Sequence, residues 1–519
     1  MNISVASVTD RATIFALASA PGPAGIAVWR VSGARARDAF TTLCGQALPS
    51  PRAMTRVRVR HPVSGEVFDD GFAVWFPGPA SFTGEDTLEL FVHGGRALTR
   101  TMTSALSAIV GVRTAQPGEF TRRALEAGKL DLTQAEGIAD LVAAETDAQR
   151  RQARRQLEGA LGTVYDGWKR EILGILARYE AGMDFPDEDI PAEIFDKARP
   201  RIAALLDAMA THLGDRHRGE RIRDGIRVAI TGAPNVGKSS LVNALAQRDV
   251  AIVSSRPGTT RDVVEVSLDL AGLPVVIADT AGIRESDDEI EAEGVRRAQA
   301  WASSADIVLT VIDGQTGWTD RPPEVESDRE SKAQLGFERG DHGSRAARSR
   351  TLVVVNKVDA TPEERHLRLA GLSPSVDGKR SGMEVDPQRL SLLNDVDPNS
   401  DCVGPLRSPS GRVVCPSGGA PVVFVSALTG VGLPDLLELL AGMAGEVLGQ
   451  TEAAGITRAR HRAGVTAGKE ALERAYGQSE VELAGEDLRH ALRALGGITG
   501  EVGVEDVLDV IFQEFCIGK

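Results

Sequence analysis

Aromatic residues make up only 4% of the 519-residue chain, so its cores must rest on Leu, Val, Ile and Ala. Cysteine is scarcer: Cys44, Cys402, Cys415 and Cys516 lie far apart and form no CxxC pair. That argues against a disulfide framework or a zinc site and fits a reducing compartment. No apolar run approaches the roughly 20 residues of a spanning helix. The N-terminus lacks the basic-then-apolar pattern of a signal peptide. A cytoplasmic protein without a membrane partner is the expectation. Positive charge is also in deficit: 59 Lys and Arg stand against 73 Asp and Glu, a net charge of -14. This argues against a basic stripe built for indiscriminate nucleic-acid binding. Two local clusters run against the balance, Arg150, Arg151, Arg154 and Arg155, and Arg216, Arg218, Arg221 and Arg223. A solvated helix face is the simpler reading of each.

What the chain does contain changes character along its length. Residues 1–120 read as mixed short strands and helices, with strands in GIAVWRVSG (25–33), GFAVWFPGP (71–79) and DTLELFVHGG (86–95). From 121 to 224 the apolar period becomes helical, as in Trp168, Ile172, Ile175, Leu176 and Tyr179, and again in Ala198, Ile202, Leu205, Leu206, Met209 and Leu213. From 225 to 445, continuous apolar runs alternate with helical stretches: 226–232, 273–280, 305–313, 351–357 and 420–427. Such runs between helices predict a mostly parallel sheet covered on both faces. After 446 the helical period returns, with a stripe through Val504, Val507, Leu508, Ile511, Phe512 and Phe515. Helical segments on both sides of an α/β domain predict one bundle with that domain inserted. Residues 314–350 and 361–419 are polar and weakly periodic, and read as surface insertions.

The α/β region carries the chemistry. GAPNVGKSS (232–240) follows a predicted strand and opens a helical stretch, the context a phosphate-binding loop requires. Gly232 and Gly237 allow backbone amides to curl around phosphate oxygens. The helix N-terminus adds favourable partial charge. Lys238 is placed to reach the β- and γ-phosphates and Ser239 to ligate Mg²⁺. Asn235, Val236 and Ser240 complete the loop. DTAG (279–282: Asp279, Thr280, Ala281, Gly282) closes a strand, which sets Asp279 near the metal and Gly282 near the γ-phosphate. GTTRD (258–262) supplies Thr260 as a switch residue that closes over Mg²⁺. In NKVD (356–359), Asp359 is able to accept from guanine N1 and its exocyclic amine, a donor pair adenine lacks. Asn356 is suited to O6 and N7, and Lys357 to packing over the base. Ser426, Ala427 and Leu428 support the base through backbone amides. Together these predict GTP as the ligand and a P-loop GTP hydrolase as the activity. One departure stands out: the position after DxxG, often Gln, is Ile283, which cannot orient water.

These motifs, with SFTGEDTLEL (81–90), HGG (93–95), PGEFTRRALEAGKLDLTQAE (117–136) and the terminal GGITGEVGVEDVLDVIFQEFCIGK (496–519), resemble the MnmE (TrmE) family of tRNA modification GTPases. That family belongs to the TrmE-Era-EngA-YihA-Septin-like GTPases. The resemblance covers nearly the whole chain apart from the two insertions. It implies an N-terminal α+β folate-binding and dimerisation domain (1–120), a helical bundle from two segments (121–224 and 446–519), and an inserted Ras-like G domain (225–445). It implies a homodimer in which K⁺ takes the place of an arginine finger, held by Asn235, Ser254, Arg256 and Thr259. Ser254 and Thr259 also fall in the GTP site. Glu291, twelve residues after Asp279, matches a glutamate that orients water indirectly. Arg30, Glu89, Lys129 and Lys519 match contacts to a tetrahydrofolate derivative (5,10-methylene- or 5-formyl-tetrahydrofolate), although the segment before Arg30 reads PGPAG where the family has Pro-Gly-Arg-Gly-Gly. Cys516 matches a cysteine needed for modification. Without the resemblance it reads equally well as a small half-buried residue beside Phe515.

The function so implied is GTP-driven addition of an aminomethyl or carboxymethylaminomethyl group at C5 of the wobble uridine of certain tRNAs. The FAD protein MnmG would be the partner, in a heterotetramer. Two rivals remain from the residues alone: an Era- or Der-like ribosome-assembly GTPase, and a regulatory GTP switch. The first carries a basic RNA-binding module or a second G domain, and this chain has one P-loop motif and no clear GxxG loop after it. A plain switch has no reason to bind folate, so folate binding by residues 1–120 separates the second.

Overall fold

The computed structural model describes residues 12–184, 193–252, 265–279, 304–315, 350–360, 413–414, 420–449 and 455–501, with 511, 515 and 518. Ser254, Arg256, Thr259, Thr260, Thr280, Ala281, Gly282, Ile283, Glu291, Cys516 and Lys519 lie outside them, as does the Asp279 side chain. The chain divides into two compact units. One comprises Met1–Ala143, Ala153–Leu213 and Arg460–Lys519, the other Ala144–Gln152 and Gly214–Ala459.

The first unit opens with β1 (Thr13–Leu17), β2 (Ala24–Ser32), α1 (Ala36–Cys44), β3 (Thr55–Arg60), β4 (Val67–Phe76), β5 (Thr87–Gly94), α2 (Arg96–Ser107) and β6 (Val112–Thr114). The strands form one six-stranded sheet in the order β3-β4-β5-β2-β1-β6. Its pairs are antiparallel except β1 with β6. Period-two alternation sends Trp29, Val31, Trp75, Leu88 and Leu90 to one face, where α1 and α2 close a core with Phe40, Leu43 and Leu106. The opposite face carries Arg30 and Glu89.

Helices follow: α3 (Glu119–Glu126), α4 (Leu132–Ala143), α5 (Asp147–Leu157), α6 (Ala160–Asp184) and α7 (Glu193–Leu213). The predicted stripe on α6 is buried at Ile172, Ile175, Leu176 and Tyr179, and that on α7 at Ala198, Ile202, Leu205 and Met209. On α5, Arg150 and Arg151 pair with Asp147, and Arg154 with Glu158, all exposed. This is the solvated face expected of that cluster.

The second unit continues with α8 (Arg218–Asp224), β7 (Ile226–Thr231), α9 (Lys238–Ala246), β8 (Ala251–Ile252), β9 (Glu265–Leu270), β10 (Leu273–Asp279), β11 (Ile307–Asp313), β12 (Arg350–Asn356), β13 (Val413–Val414), β14 (Val422–Phe424) and α10 (Leu433–Leu448). Its eight strands run β13-β14-β12-β11-β7-β10-β9-β8. The five central strands are parallel, as the continuous apolar runs predict. Val413 and Val414 fall within the stretch read as an insertion, yet they pair antiparallel with β14, and Val413 is buried. Two residues are too short for a periodic signal, so only the sheet edge selects them.

The first unit ends with α11 (Ala459–Gly477) and α12 (Val481–Thr499). Beyond them, Ile511 and Phe515 pack on Leu132 of α4. Glu136 of α4 is fully buried between residues distant in sequence. Arg460 grips both its oxygens at 2.6 Å, and His461 Nε2 lies 2.8 Å from Oε2. Burial pushes the Glu136 carboxyl up, but His461 and Arg460 outweigh it and hold the group down at about 2.

Candidate functional site

β7 ends at Thr231 and the chain turns through Gly232 into the phosphate-binding loop. Gly232 (φ +137°) and Gly237 (φ +92°) occupy backbone conformations that a side chain resists. A Cβ on Gly232 would fall 2.3 Å from the Val311 carbonyl oxygen, and one on Gly237 2.4 Å from Asn356 Nδ2. Both glycines are thus set by close packing as well as by turn geometry. Asn235 also takes a left-handed φ, +64°. Lys238, nearly buried, donates from Nζ to the carbonyls of Gly232 (2.8 Å) and Ala233 (2.7 Å). Its ammonium is thereby held over the loop that its sequence position predicts. Ser239 and Ser240 sit exposed in the first turn of α9.

The base-recognition motifs converge on the same loop. Asn356 closes β12 and is 2% exposed. Its Nδ2 donates to the Val236 carbonyl at 3.0 Å, while its Oδ1 accepts from the Ala427 amide at 3.1 Å. Sequence reading assigns this side chain to guanine O6 and N7. The geometry gives it a second task, bracing the phosphate loop against the 426–428 loop. Lys357 donates to the Asn235 carbonyl (2.9 Å) and to Asp313 Oδ2 (2.6 Å). Asp359 stands exposed on a short 3-10 turn, Val358–Ala360. Ser426 is fully buried, and its Oγ accepts from the Thr429 amide. Leu428 is 87% exposed.

Asp313 was not singled out by motif, yet it fixes Lys357. Its signal was its place, the last residue of a β-strand beside NKVD in a parallel sheet. Of the residues read as metal ligands, only Ser239 and Asn235 have described side chains. Asp279 is placed by its backbone at the end of β10, in register with Ile230 of β7.

In the N-terminal sheet, Arg30 on β2 and Glu89 on β5 are register partners. Arg30 Nε and Nη2 reach Glu89 Oε1 at 3.0 and 2.9 Å. The guanidinium lies 5.6 Å from the ring centroids of both Phe82 and Phe120. Each ring adds cation–π attraction and excludes water from the pair. Lys129 is exposed, and its Cε passes 3.6 Å from where a Gly84 Cβ would stand, in the same loop as Phe82.

Behind this pair lies a buried network that sequence reading missed. Arg123 donates to Glu85 Oε2 (2.9 Å), Glu119 Oε1 (2.8 Å) and the Ala12 carbonyl (2.9 Å). Ser32 Oγ donates to Glu85 Oε2 at 2.8 Å. Burial raises the Glu119 carboxyl, but Arg113, the Gln116 amide and Arg123 bring it down to about 2. Glu85 and Arg123 sit in the quoted motifs SFTGEDTLEL and PGEFTRRALE, but nothing in their spacing marks them as partners. Among the described residues no group of three or more His, Cys, Asp or Glu is placed to hold a metal, and no helix is long and apolar enough to cross a membrane.

Comparison with known proteins supplies the family. Residues 13–129 match the model of the GTP-binding protein TrmE N-terminus, and residues 132–516 that of the MnmE helical domain. The tRNA modification GTPase MnmE of Rhodospirillum rubrum is 46% identical over 519 residues, covering 98% of this chain and 99% of that protein. Those of Parvibaculum lavamentivorans and Paramagnetospirillum magneticum are each 45% identical, covering 98% of this chain and 100% and 99% of theirs. Among solved structures, Aquifex aeolicus Era bound to GDP·AlF4⁻ is 23% identical over 47% of this chain and 66% of its own, with a TM-score of 0.27, too weak a likeness to carry an argument. The mostly parallel P-loop sheet, the N-terminal α+β domain and the near full-length identity agree: the chain belongs to the MnmE family of tRNA modification GTPases.

Proposed function

We propose that the chain hydrolyses GTP to drive modification at C5 of the wobble uridine of certain tRNAs. A methylene-tetrahydrofolate supplies the one-carbon unit, and the FAD protein MnmG is the partner. The observation that carries the GTPase reading is the convergence of three motifs on one loop. Asn356 ties Val236 to Ala427, and Lys357 ties Asn235 to Asp313. This pre-sets the phosphate cradle before nucleotide arrives, so little ordering entropy remains to oppose binding. Lys238 exchanges its two carbonyl acceptors for phosphate oxygens. Ser239, with Thr260, would hold Mg²⁺. Asn235, Ser254, Arg256 and Thr259 would hold K⁺ across a homodimer of G domains, and Glu291 would orient the attacking water. A potassium ion acting in place of an arginine finger has an effect on the order of 10³–10⁵ in rate to supply.

The folate reading rests on Arg30. A guanidinium aligned with Glu89 and flanked by two rings offers a planar donor edge beside an apolar surface, which suits a flat heterocycle with amide-like edges. The three parts then work as a cycle, with GTP turnover ordering the modification steps.

The test is steady-state GTP hydrolysis in potassium against sodium buffer, over a range of protein concentration. A rate that rises with potassium and with concentration is expected. A slow rate indifferent to both would remove the dimer-activated mechanism.

A further inference from the structure

The docking place of RNA on so acidic a chain is the question left open by that reading. The answer lies in an uneven charge distribution. Residues 33–65 carry six arginines against the single carboxylate of Asp38, in a chain whose net charge is -14. Part of this stretch is β3, the edge strand of the N-terminal sheet, with the sequence TRVRVR. Val57 and Val59 face the core, so alternation turns Arg56 and Arg58 to the other face, where their side chains are 74% and 69% exposed. Arg52, just before the strand, lies with its guanidinium 5.8 Å from the Phe76 ring centroid. One acid stands nearby: Asp70 Oδ1 is 3.4 Å from Arg58 and 3.9 Å from Arg56. Arg56 and Arg58 therefore share one carboxylate.

Aromatic rings adjoin the arginines. Phe72 is the register partner of Arg56 on one side and of Phe91 on the other. It is 46% exposed, and Phe91 is half-buried. A row of guanidinium groups beside one exposed and one half-buried ring on an antiparallel sheet is suited to a single-stranded nucleic acid, whose phosphates meet the cations and whose unstacked bases meet the rings. A second copy of the chain fits less well. A two-fold contact through this patch would bring arginines against arginines, and arginines on an edge strand oppose strand-to-strand pairing.

We propose that Arg52, Arg56, Arg58 and Phe72 form an RNA-docking face that holds a single-stranded segment of tRNA. The proposal rests on the tRNA-modifying function above. The probe is a fluorescently labelled, unmodified tRNA transcript with uridine at the wobble position, titrated with full-length protein over a salt series. In R56A/R58A the affinity falls and the slope of log K against log salt becomes shallower by about 1.4, the value for two lost single-strand phosphate contacts. R56K/R58K keeps the charge and keeps the slope. F72A lowers affinity roughly tenfold with the slope unchanged. GTP hydrolysis stays at the wild-type rate in all three.

Wild-type affinity and slope in both R56A/R58A and F72A would overturn the proposal. So would an altered sedimentation coefficient of the variants with unaltered RNA affinity, which would assign the face to a second copy. Complementation of a strain lacking wobble-uridine modification separates the two levels. If the wild-type chain restores modification while the variants bind RNA normally, the docking face fails and the function stands. If the wild-type chain restores nothing, the function fails and takes the docking face with it.

Discussion

At the nucleotide loop, the groups that matter are backbone amides and carbonyls, shaped by Gly232 and Gly237 and braced by Asn356 and Lys357. In the first unit they are side chains from remote parts of the chain: Arg30 with Glu89, Arg123 with Glu85, and Glu136 with Arg460 and His461. The first kind of site sits within a few residues of its own signature. The second exists only when strands and helices far apart in sequence come together. The contrast teaches where each is vulnerable. A backbone site fails when a side chain intrudes, and a side-chain site fails when one partner of a buried pair is removed.

The largest expected effect is at Glu136. Glu136→Gln leaves Arg460 and His461 facing a neutral amide, and breaking a buried ion pair from one side costs about 3–5 kcal/mol. Denaturant unfolding of the full chain at neutral pH measures this. The pH dependence follows from the depressed carboxyl. A group whose folded-state value is lowered stabilises the fold above its unfolded value, and that stability is lost as pH falls through the folded value. The gap between wild type and variant should thus be full at neutral pH, and shrink as pH drops from about 4.5 towards about 2. A gap constant over that window would remove the charge argument and leave only packing.

Gly237→Ala tests the backbone site. Its Cβ meets Asn356 Nδ2 at a left-handed φ, so strain of about 3 kcal/mol and a hundredfold weaker binding of a fluorescent GTP analogue are expected. Wild-type affinity would show that the loop relaxes freely, and would blur the contrast between the two kinds of site.

Arg30→Ala leaves Glu89 unpaired beside two rings and removes a charged donor. Binding of 5-formyl-tetrahydrofolate, followed by calorimetry, should weaken by about 1.5–3 kcal/mol, with GTP affinity unaltered. The smallest effect is at Asp313→Ala. Lys357 keeps the Asn235 carbonyl but loses its anion, and GTP affinity should fall by about 1–2 kcal/mol. If Asp313→Ala proves as damaging as Gly237→Ala, the nucleotide site depends on side chains as much as the first unit does.

Legibility in the sequence follows the same division. The five parallel strands of the second unit were readable because each lies in a continuous apolar run, and two of them close on a motif residue, Asn356 at the end of β12 and Asp279 at the end of β10. The helices α6 and α7 were readable from one buried stripe each. The edge strand Val413–Val414 was not, since two residues carry no period and only the neighbouring β14 selects them. Arg30 and Glu89 were named through family resemblance alone. Their cross-strand register is what makes them a pair. Phe82, Phe120, Glu85 and Arg123 gave no local signal, because their partners lie on other elements, Arg30 on β2 for the two rings and Glu85 for Arg123 of α3.

By itself, the sequence determined the P-loop hydrolase character, the order of the phosphate and base motifs, and the alternation between helical and α/β regions. These depend on local spacing, on glycine's access to left-handed backbone, and on the periods of helix and strand. Only the tertiary structure decided that Asn356 braces two loops, that Glu136 is buried between Arg460 and His461, and that the arginines of β3 lie beside Phe72. Each of those depends on which face of an element meets which neighbour, and a linear chain does not carry that relation until the sheet order and helix packing are set.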